Sequence, residues 1–297
     1  MTPDDLKSLI RIPARERRAP IVRAAERSDE GDHVVERLIF DFGDGRPVRG
    51  LLTRPARASG RCPAVLYCHA HGNKYAIGAS ELLVGRPSLI GPYGPVLAKE
   101  GLVTLSVDMP TFGDRAESGE NALAKAMLWR GATLMGLMLA DLLAAFDHLA
   151  ARADVDATRI ATFGLSMGAT HAYFLAALEP RVARTAHLCA YADLDSLIET
   201  GAHDLHGHYM TVPGLLAATS TGRIAGMVAP RRQLICTGDH DPLTPPDAVE
   251  TAYRQTRAAY ETAGAATALT RLSQPETGHQ ETPQMRRAVL DFLGAMR

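Results

Sequence analysis

The 297-residue sequence has almost no net charge: 32 Lys and Arg stand against 33 Asp and Glu, a formal balance of −1. A nucleic-acid partner would need a basic excess to meet the phosphates, so none is expected. The first residues, Met1-Thr2-Pro3-Asp4-Asp5-Leu6-Lys7, carry acids where a secretory leader carries bases, and no apolar run follows. The expectation is a cytoplasmic protein. The roughly 18 consecutive charge-free apolar residues of a membrane span are also missing, so no membrane partner is expected. The most apolar run, Gly131 to Ala151, is interrupted by Asp141, Asp147 and His148 and reads as a buried helix. No Cys-x-x-Cys pair occurs, and of Cys62, Cys68, Cys189 and Cys236 the last three lie inside apolar runs, as reduced core thiols do. What remains is 46% hydrophobic and 22% charged residues, the balance of a soluble chain that buries a core.

Repeats, low-complexity tracts and linkers rich in Pro, Gly or Ser are absent, which favours one domain. Residues 1–33 read as a helical N-terminal extension, with Arg15-Glu16-Arg17-Arg18 as a solvated helix face, and 34–297 as the domain proper. Val34 to Phe42 and Pro47 to Thr53 read as an antiparallel hairpin around Gly43-Asp44-Gly45-Arg46. Beyond Pro63 the apolar runs lose their alternation: Ala64–Cys68, Leu102–Val107, Ile160–Phe163, Thr185–Cys189, Gln233–Thr237 and Ala268–Leu272. Strands buried on both faces look like this in parallel sheets. Helical stretches separate them at Tyr93–Glu100, Leu123–Arg152, Met167–Leu178, Pro246–Ala263 and Thr282–Met296. The alternation predicts an α/β fold with one mostly parallel, doubly wound sheet. Two connections exceed a plain crossover: 30 residues lie between Ala70 and Gly101, and 47 between Ala190 and Gly238. The second, residues 190–238, reads as a small lid-like excursion.

Gly164-Leu165-Ser166-Met167-Gly168 matches G-x-S-x-G, the nucleophile elbow, in which serine sits on a strained strand-to-helix turn. Roughly 0.08 such matches are expected by chance from this Gly and Ser content. The context agrees, with an apolar strand ending just before it and a helix-compatible run just after.

A serine hydroxyl needs a histidine to take its proton and an acid to hold that histidine in the right tautomer. In an elbow enzyme these follow in the order Ser, acid, His. His279 stands in Glu276-Thr277-Gly278-His279-Gln280-Glu281, between the last strand-like run and the last helix. Cys236-Thr237-Gly238-Asp239-His240-Asp241-Pro242 ends the preceding strand and offers two acids. Asp241 is preferred, because a residue before proline is held extended and can project its carboxylate, whereas Asp239 suits the turn itself. His171, inside the elbow helix, reads as a packed core histidine, and Trp129, Met127, Met135 and Met138 read as core at helical spacing. His33, His148 and His240 read as surface or loop residues.

Acyl transfer builds charge on the carbonyl oxygen, which preorganised N–H groups must meet. One donor is the amide of Met167, after the nucleophile. The other is assigned to the amide of Asn73, in Cys68-His69-Ala70-His71-Gly72-Asn73-Lys74. His71, with His206, His208 and Tyr209 of the excursion, is expected to line the substrate pocket. The cluster His203-Asp204-Leu205-His206-Gly207-His208 admits a rival metal reading, but no strand or helix pair is foreseen to hold it, so no metal and no cofactor are expected.

On these motifs, together with Asp154-Val155-Asp156-Ala157-Thr158-Arg159-Ile160 before the elbow and Val228-Ala229-Pro230-Arg231-Arg232 before the acid strand, the chain resembles the α/β-hydrolase superfamily. Within it, the likeness is to the dienelactone hydrolase and acetyl xylan esterase-like branch, over roughly Val34 to Arg297. The resemblance implies a single-domain α/β-hydrolase fold with Ser166 as nucleophile, Asp241 as acid and His279 as base, and no cofactor. Dienelactone hydrolases proper carry cysteine at the nucleophile, so Ser166 points away from that activity. The expected function is a serine carboxylesterase acting on small, short-acyl esters through an acyl-enzyme. Sugar deacetylation or lactone opening are the alternatives among enzymes, and a catalytically silent binding module is the alternative outside them.

Overall fold

In the computed structural model, residues 1–13, 20–43, 45–117 and 119–297 are described. The Arg15–Arg18 face and Asp44 of the hairpin turn lie outside them. The non-alternating apolar runs form the buried strands β4 (Cys62–Cys68), β5 (Val103–Val107), β6 (Val155–Leu165), β7 (Arg184–Leu188) and β8 (Arg232–Gly238). Ahead of them lie β1 (Ile21–Asp29), β2 (His33–Asp41) and β3 (Pro47–Pro55), and after them β9 (Leu269–Gln274). All nine join one sheet in the order β1-β2-β3-β5-β4-β6-β7-β8-β9. From β5 to β9 every pairing is parallel, whereas β1, β2, β3 and β5 pair antiparallel.

The helices are α1 (Pro3–Ile10), α2 (Glu81–Val84), α3 (Gly94–Lys99), α4 (Glu120–Trp129), α5 (Leu134–Ala151), α6 (Met167–Leu178), α7 (Leu194–Thr200), α8 (Leu215–Ala218), α9 (Thr221–Gly226), α10 (Pro246–Thr262) and α11 (Pro283–Gly294). Side-chain oxygens start several of them. Thr133 accepts the Gly136 N–H, Asp193 that of Ser196 and Thr282 that of Met285, each satisfying a donor that a helix start leaves open. Two apolar clusters fill the faces of the sheet, one around Phe40, Leu105, Phe146 and Tyr173, the other around Tyr67, Tyr93, Phe163 and Leu293. Helix α5 is long and apolar enough to cross a membrane, yet most of it is buried inside the molecule, and its Asp141 pairs with Arg115.

Four expectations change. The extension is helical only in α1, and residues 21–29 are strand β1, which extends the hairpin to three strands. Nearly every β1 residue is exposed, so no hydrophobic pattern marks it. Pairing with β2 across the short turn at residues 30–32 decides its conformation. The single helix foreseen over Leu123–Arg152 is two, because Gly131 takes a left-handed φ of 74° and Thr133 caps a new start. The break leaves Trp129 in the last turn of α4 with 84% of its surface exposed, not in the core. His148 lies within α5 and packs edge-on against Phe40, and burial pushes its pKa down to about 4.

Candidate active site

Strand β6 delivers the chain to Ser166 and α6 carries it away, and between them Ser166 adopts φ 56° and ψ −128°. A non-glycine residue is strained there, and the strain is held by close packing. A methyl group on Gly168 would come within 1.9 Å of the Cys68 carbonyl oxygen, and one on Gly164 within 2.4 Å of the Gly168 backbone. The two elbow glycines are thus demanded by contact. As the first residue of α6, Met167 has an N–H that no helical carbonyl can take.

The turn after β8 and the loop after β9 are stitched together. The His240 N–H donates to the Thr277 carbonyl at 2.9 Å and the Asp239 N–H to that of Gln274 at 3.0 Å. Gly238 permits this, since a side chain there would strike the Thr277 carbonyl at 2.3 Å. The stitching brings Asp241 Oδ2 to 2.7 Å from His279 Nδ1, and His279 Nε2 to 2.9 Å from Ser166 Oγ. Asp241 is 1% exposed, and its other oxygen accepts the Leu243 N–H at 2.9 Å. Asp239 instead accepts the Ser273 hydroxyl and so binds its turn to β9.

Two site expectations are overturned, at Asn73 and at Tyr209. Asn73, in a left-handed conformation at φ 54°, turns its N–H back onto His71 Nδ1 at 3.1 Å, so that amide is not available to an oxyanion. Among the described residues, the neighbouring amides of His71 and Gly72 have no partner. His69 is buried and neutral, pushed down to about 3 by burial, and its Nε2 accepts the Met109 N–H at 3.1 Å. His171 is likewise a core group, its Nδ1 donating to the Met167 carbonyl at 2.8 Å.

A cavity of about 630 Å³ lies between the excursion and the loop after β4. His71, Asn73, His206 and His208 line it, with Leu197, Val212 and Leu215 on its apolar side. Ser166 and His279 are not part of its wall, so the chamber does not itself hold the nucleophile. His206 links the two: its Nε2 donates to the Leu243 carbonyl at 3.0 Å, next to the acid, and burial lowers its pKa. Tyr209 does not line the cavity. Its ring lies buried between His71 and His171, because its backbone N–H faces inward to Glu120 Oε1 at 3.0 Å. No three His, Cys, Asp or Glu side chains converge as a metal site among the described residues.

Sequence reasoning missed Glu120. This carboxylate is 5% exposed, and its Oε2 accepts His71 Nε2 at 2.6 Å and the Tyr75 hydroxyl at 2.9 Å. Burial pushes its carboxyl up, but His71, the Tyr75 hydroxyl and the Tyr209 amide outweigh that and hold it below the ordinary value. Nothing in the local sequence announces a role, since its partners lie 45, 49 and 89 residues away.

A strained serine between a parallel strand and its helix, followed along the chain by an acid and a histidine hydrogen-bonded to it, defines an α/β-hydrolase. The comparisons place the chain more closely. It is 35% identical over 279 residues, 94% of its length and 93% of the other's, to a Bacillus subtilis (strain 168) protein described as "Putative hydrolase YtaP", and it belongs to that protein's family. No family model matches it. Among solved structures, the fold is shared by a glucuronoyl esterase from Solibacter usitatus (TM-score 0.72, 14% identity, covering 99% of this chain and 92% of that one). It is shared too by an acetyl xylan esterase from Paenibacillus sp. R4 (TM-score 0.68, 19% identity, 99% and 92%).

Proposed function

We propose that the protein is a serine carboxylesterase that cleaves small esters through an acyl-enzyme on Ser166. The observation that carries this reading is the relay Asp241–His279–Ser166, at 2.7 and 2.9 Å, in a strained elbow. Asp241 accepts the Nδ1 proton, so Nε2 is left as the base facing the serine hydroxyl. As Ser166 Oγ attacks the ester carbon, its proton passes to Nε2 and the developing oxyanion meets the Met167 amide and the unpartnered amides of His71 and Gly72. The imidazolium then protonates the departing alcohol. Water attacks the acyl-enzyme by the same route in reverse, with His279 again as base.

The acyl group is short and the alcohol is the larger part, seated in the 630 Å³ chamber. The chamber's polar edge, with His203, Asp204, His206 and His208, supports a hydroxylated alcohol, which keeps sugar deacetylation as the second reading. Purified protein assayed on aryl esters of rising acyl length, with acetylated sugars and lactones alongside, tests the substrate class. Ser166→Ala should lose organophosphate labelling and fall to the residual rate that binding and oxyanion contacts alone sustain. A Ser166→Ala protein with near-native turnover would overturn the mechanism.

A further inference from the structure

Glu120 stands at the first position of α4, outside the triad, yet groups from two other segments meet on its two oxygens. His71 and Tyr75 come from the loop that supplies an oxyanion donor, and the Tyr209 amide comes from the excursion over the cavity. We propose that Glu120 is a positioning residue that latches the excursion to the oxyanion loop, so that the donor amides of His71 and Gly72 are in place only when the lid is seated. The proposal rests on the esterase reading and concerns how its oxyanion hole is held.

The proton inventory explains why the latch acts through His71. Its Nδ1 accepts the Asn73 N–H, so its proton is on Nε2 and is donated to Glu120. The loop's conformation is therefore set from both sides of one ring, and Asn73 is turned inward by that ring instead of facing the substrate. The lid side carries its own signature at Gly207. Its φ of −75° suits any residue, so conformational freedom is not the reason for glycine there. A methyl group would lie 2.6 Å from Glu120 Oε1 and 3.0 Å from His71 Nε2. The glycine is needed for the lid backbone to reach the carboxylate.

Glu120→Gln is nearly isosteric but has one acceptor oxygen for donors on two sides. With that oxygen toward His71 and Tyr75, its NH2 faces the Tyr209 N–H. With the amide reversed, NH2 faces His71 Nε2–H, and a His71 that moves its proton to Nδ1 then opposes the Asn73 N–H. Either arrangement loses one side of the latch. Gly207→Ala breaks it from the lid side without touching the carboxylate.

Steady-state kinetics on an aryl acetate, melting temperature, and the inhibition constant of a trifluoromethyl ketone, which mimics the tetrahedral intermediate, form the test. Misplacing an oxyanion donor by about an ångström costs up to about 100-fold. Both variants are therefore expected to lose about 10- to 100-fold in kcat with KM within about threefold, and to weaken ketone binding in proportion. Tyr75→Phe, which leaves the His71 and Tyr209 bonds, should lose much less. A folded Glu120→Gln protein with kcat within about twofold of native overturns the proposal, as does a rise in KM at unchanged kcat, or unchanged ketone binding. Should Glu120→Gln fail to fold, Gly207→Ala decides by the same criteria. Native protein that is not labelled by organophosphate at Ser166 would instead overturn the esterase reading.

Discussion

The choice between the two aspartates of the acid turn can be decided by replacing each with asparagine. Asp241 receives two donors on separate oxygens, the His279 ring at Oδ2 and the Leu243 amide at Oδ1. Asparagine has one acceptor oxygen. If that oxygen keeps His279, its NH2 meets the Leu243 N–H in a part-buried turn, and the unsatisfied donor costs at most about 1–3 kcal/mol. If the oxygen keeps Leu243, NH2 faces Nδ1 and the imidazole must move its proton to Nε2. That proton then points at Ser166 Oγ, and the ring cannot act as a base. Wrong-tautomer variants of other triads lose about 10⁴ in kcat, equivalent to about 5.5 kcal/mol of transition-state stabilisation. Asp239→Asn is a different case, since an amide oxygen still accepts the Ser273 hydroxyl, and the expected loss is under about threefold. Both proteins are compared with native on an aryl acetate at pH 7–8, with melting temperatures measured in parallel. The reasoning fails if folded Asp241→Asn keeps more than about a tenth of native kcat, or if Asp239→Asn is the more damaging change.

Acid sensitivity should come from buried neutral histidines. Burial lowers the His187 pKa to about 3. A folded value depressed below the unfolded one means that stability is complete above about pH 6.5 and is lost as pH falls toward 3. At pH 5 the loss is about 2 kcal/mol for this group. His187→Gln, which can still bond Gln233, should therefore flatten the change in urea midpoint between pH 7 and pH 5, and an unchanged slope would refute it. Ile198, half exposed at the rim of the chamber, tests where the alcohol sits. Ile198→Trp should raise KM about tenfold for acetates of bulky alcohols and leave ethyl acetate within about twofold, and equal effects on both would place the alcohol elsewhere.

Much of this architecture was legible locally. Val65, Leu66, Leu105, Ile235 and their neighbours lack alternation because both sheet faces are covered, so a buried parallel strand can be read from a few consecutive residues. The elbow is legible for the same kind of reason: Gly164, Ser166 and Gly168 answer steric demands within one turn, and chain order then points to an acid and a histidine after β8 and β9. Preference for Asp241 over Asp239 rests on backbone chemistry around Pro242; in the structure Asp241 accepts from His279 and Asp239 from Ser273. Tertiary structure decided what no apolar pattern within a segment records. Strand β1 has no apolar pattern and exists by pairing with β2. Trp129 is exposed because α4 stops short of the core that its spacing suggested. The Asn73 amide matched the expected position for an oxyanion donor, yet a left-handed backbone turned it onto a ring that Glu120 holds from 49 residues away. Local patterns record the strand, the helix and the turn, whereas a hydrogen bond between segments is made only when the whole fold sets their separation, and that separation leaves no periodicity in the sequence.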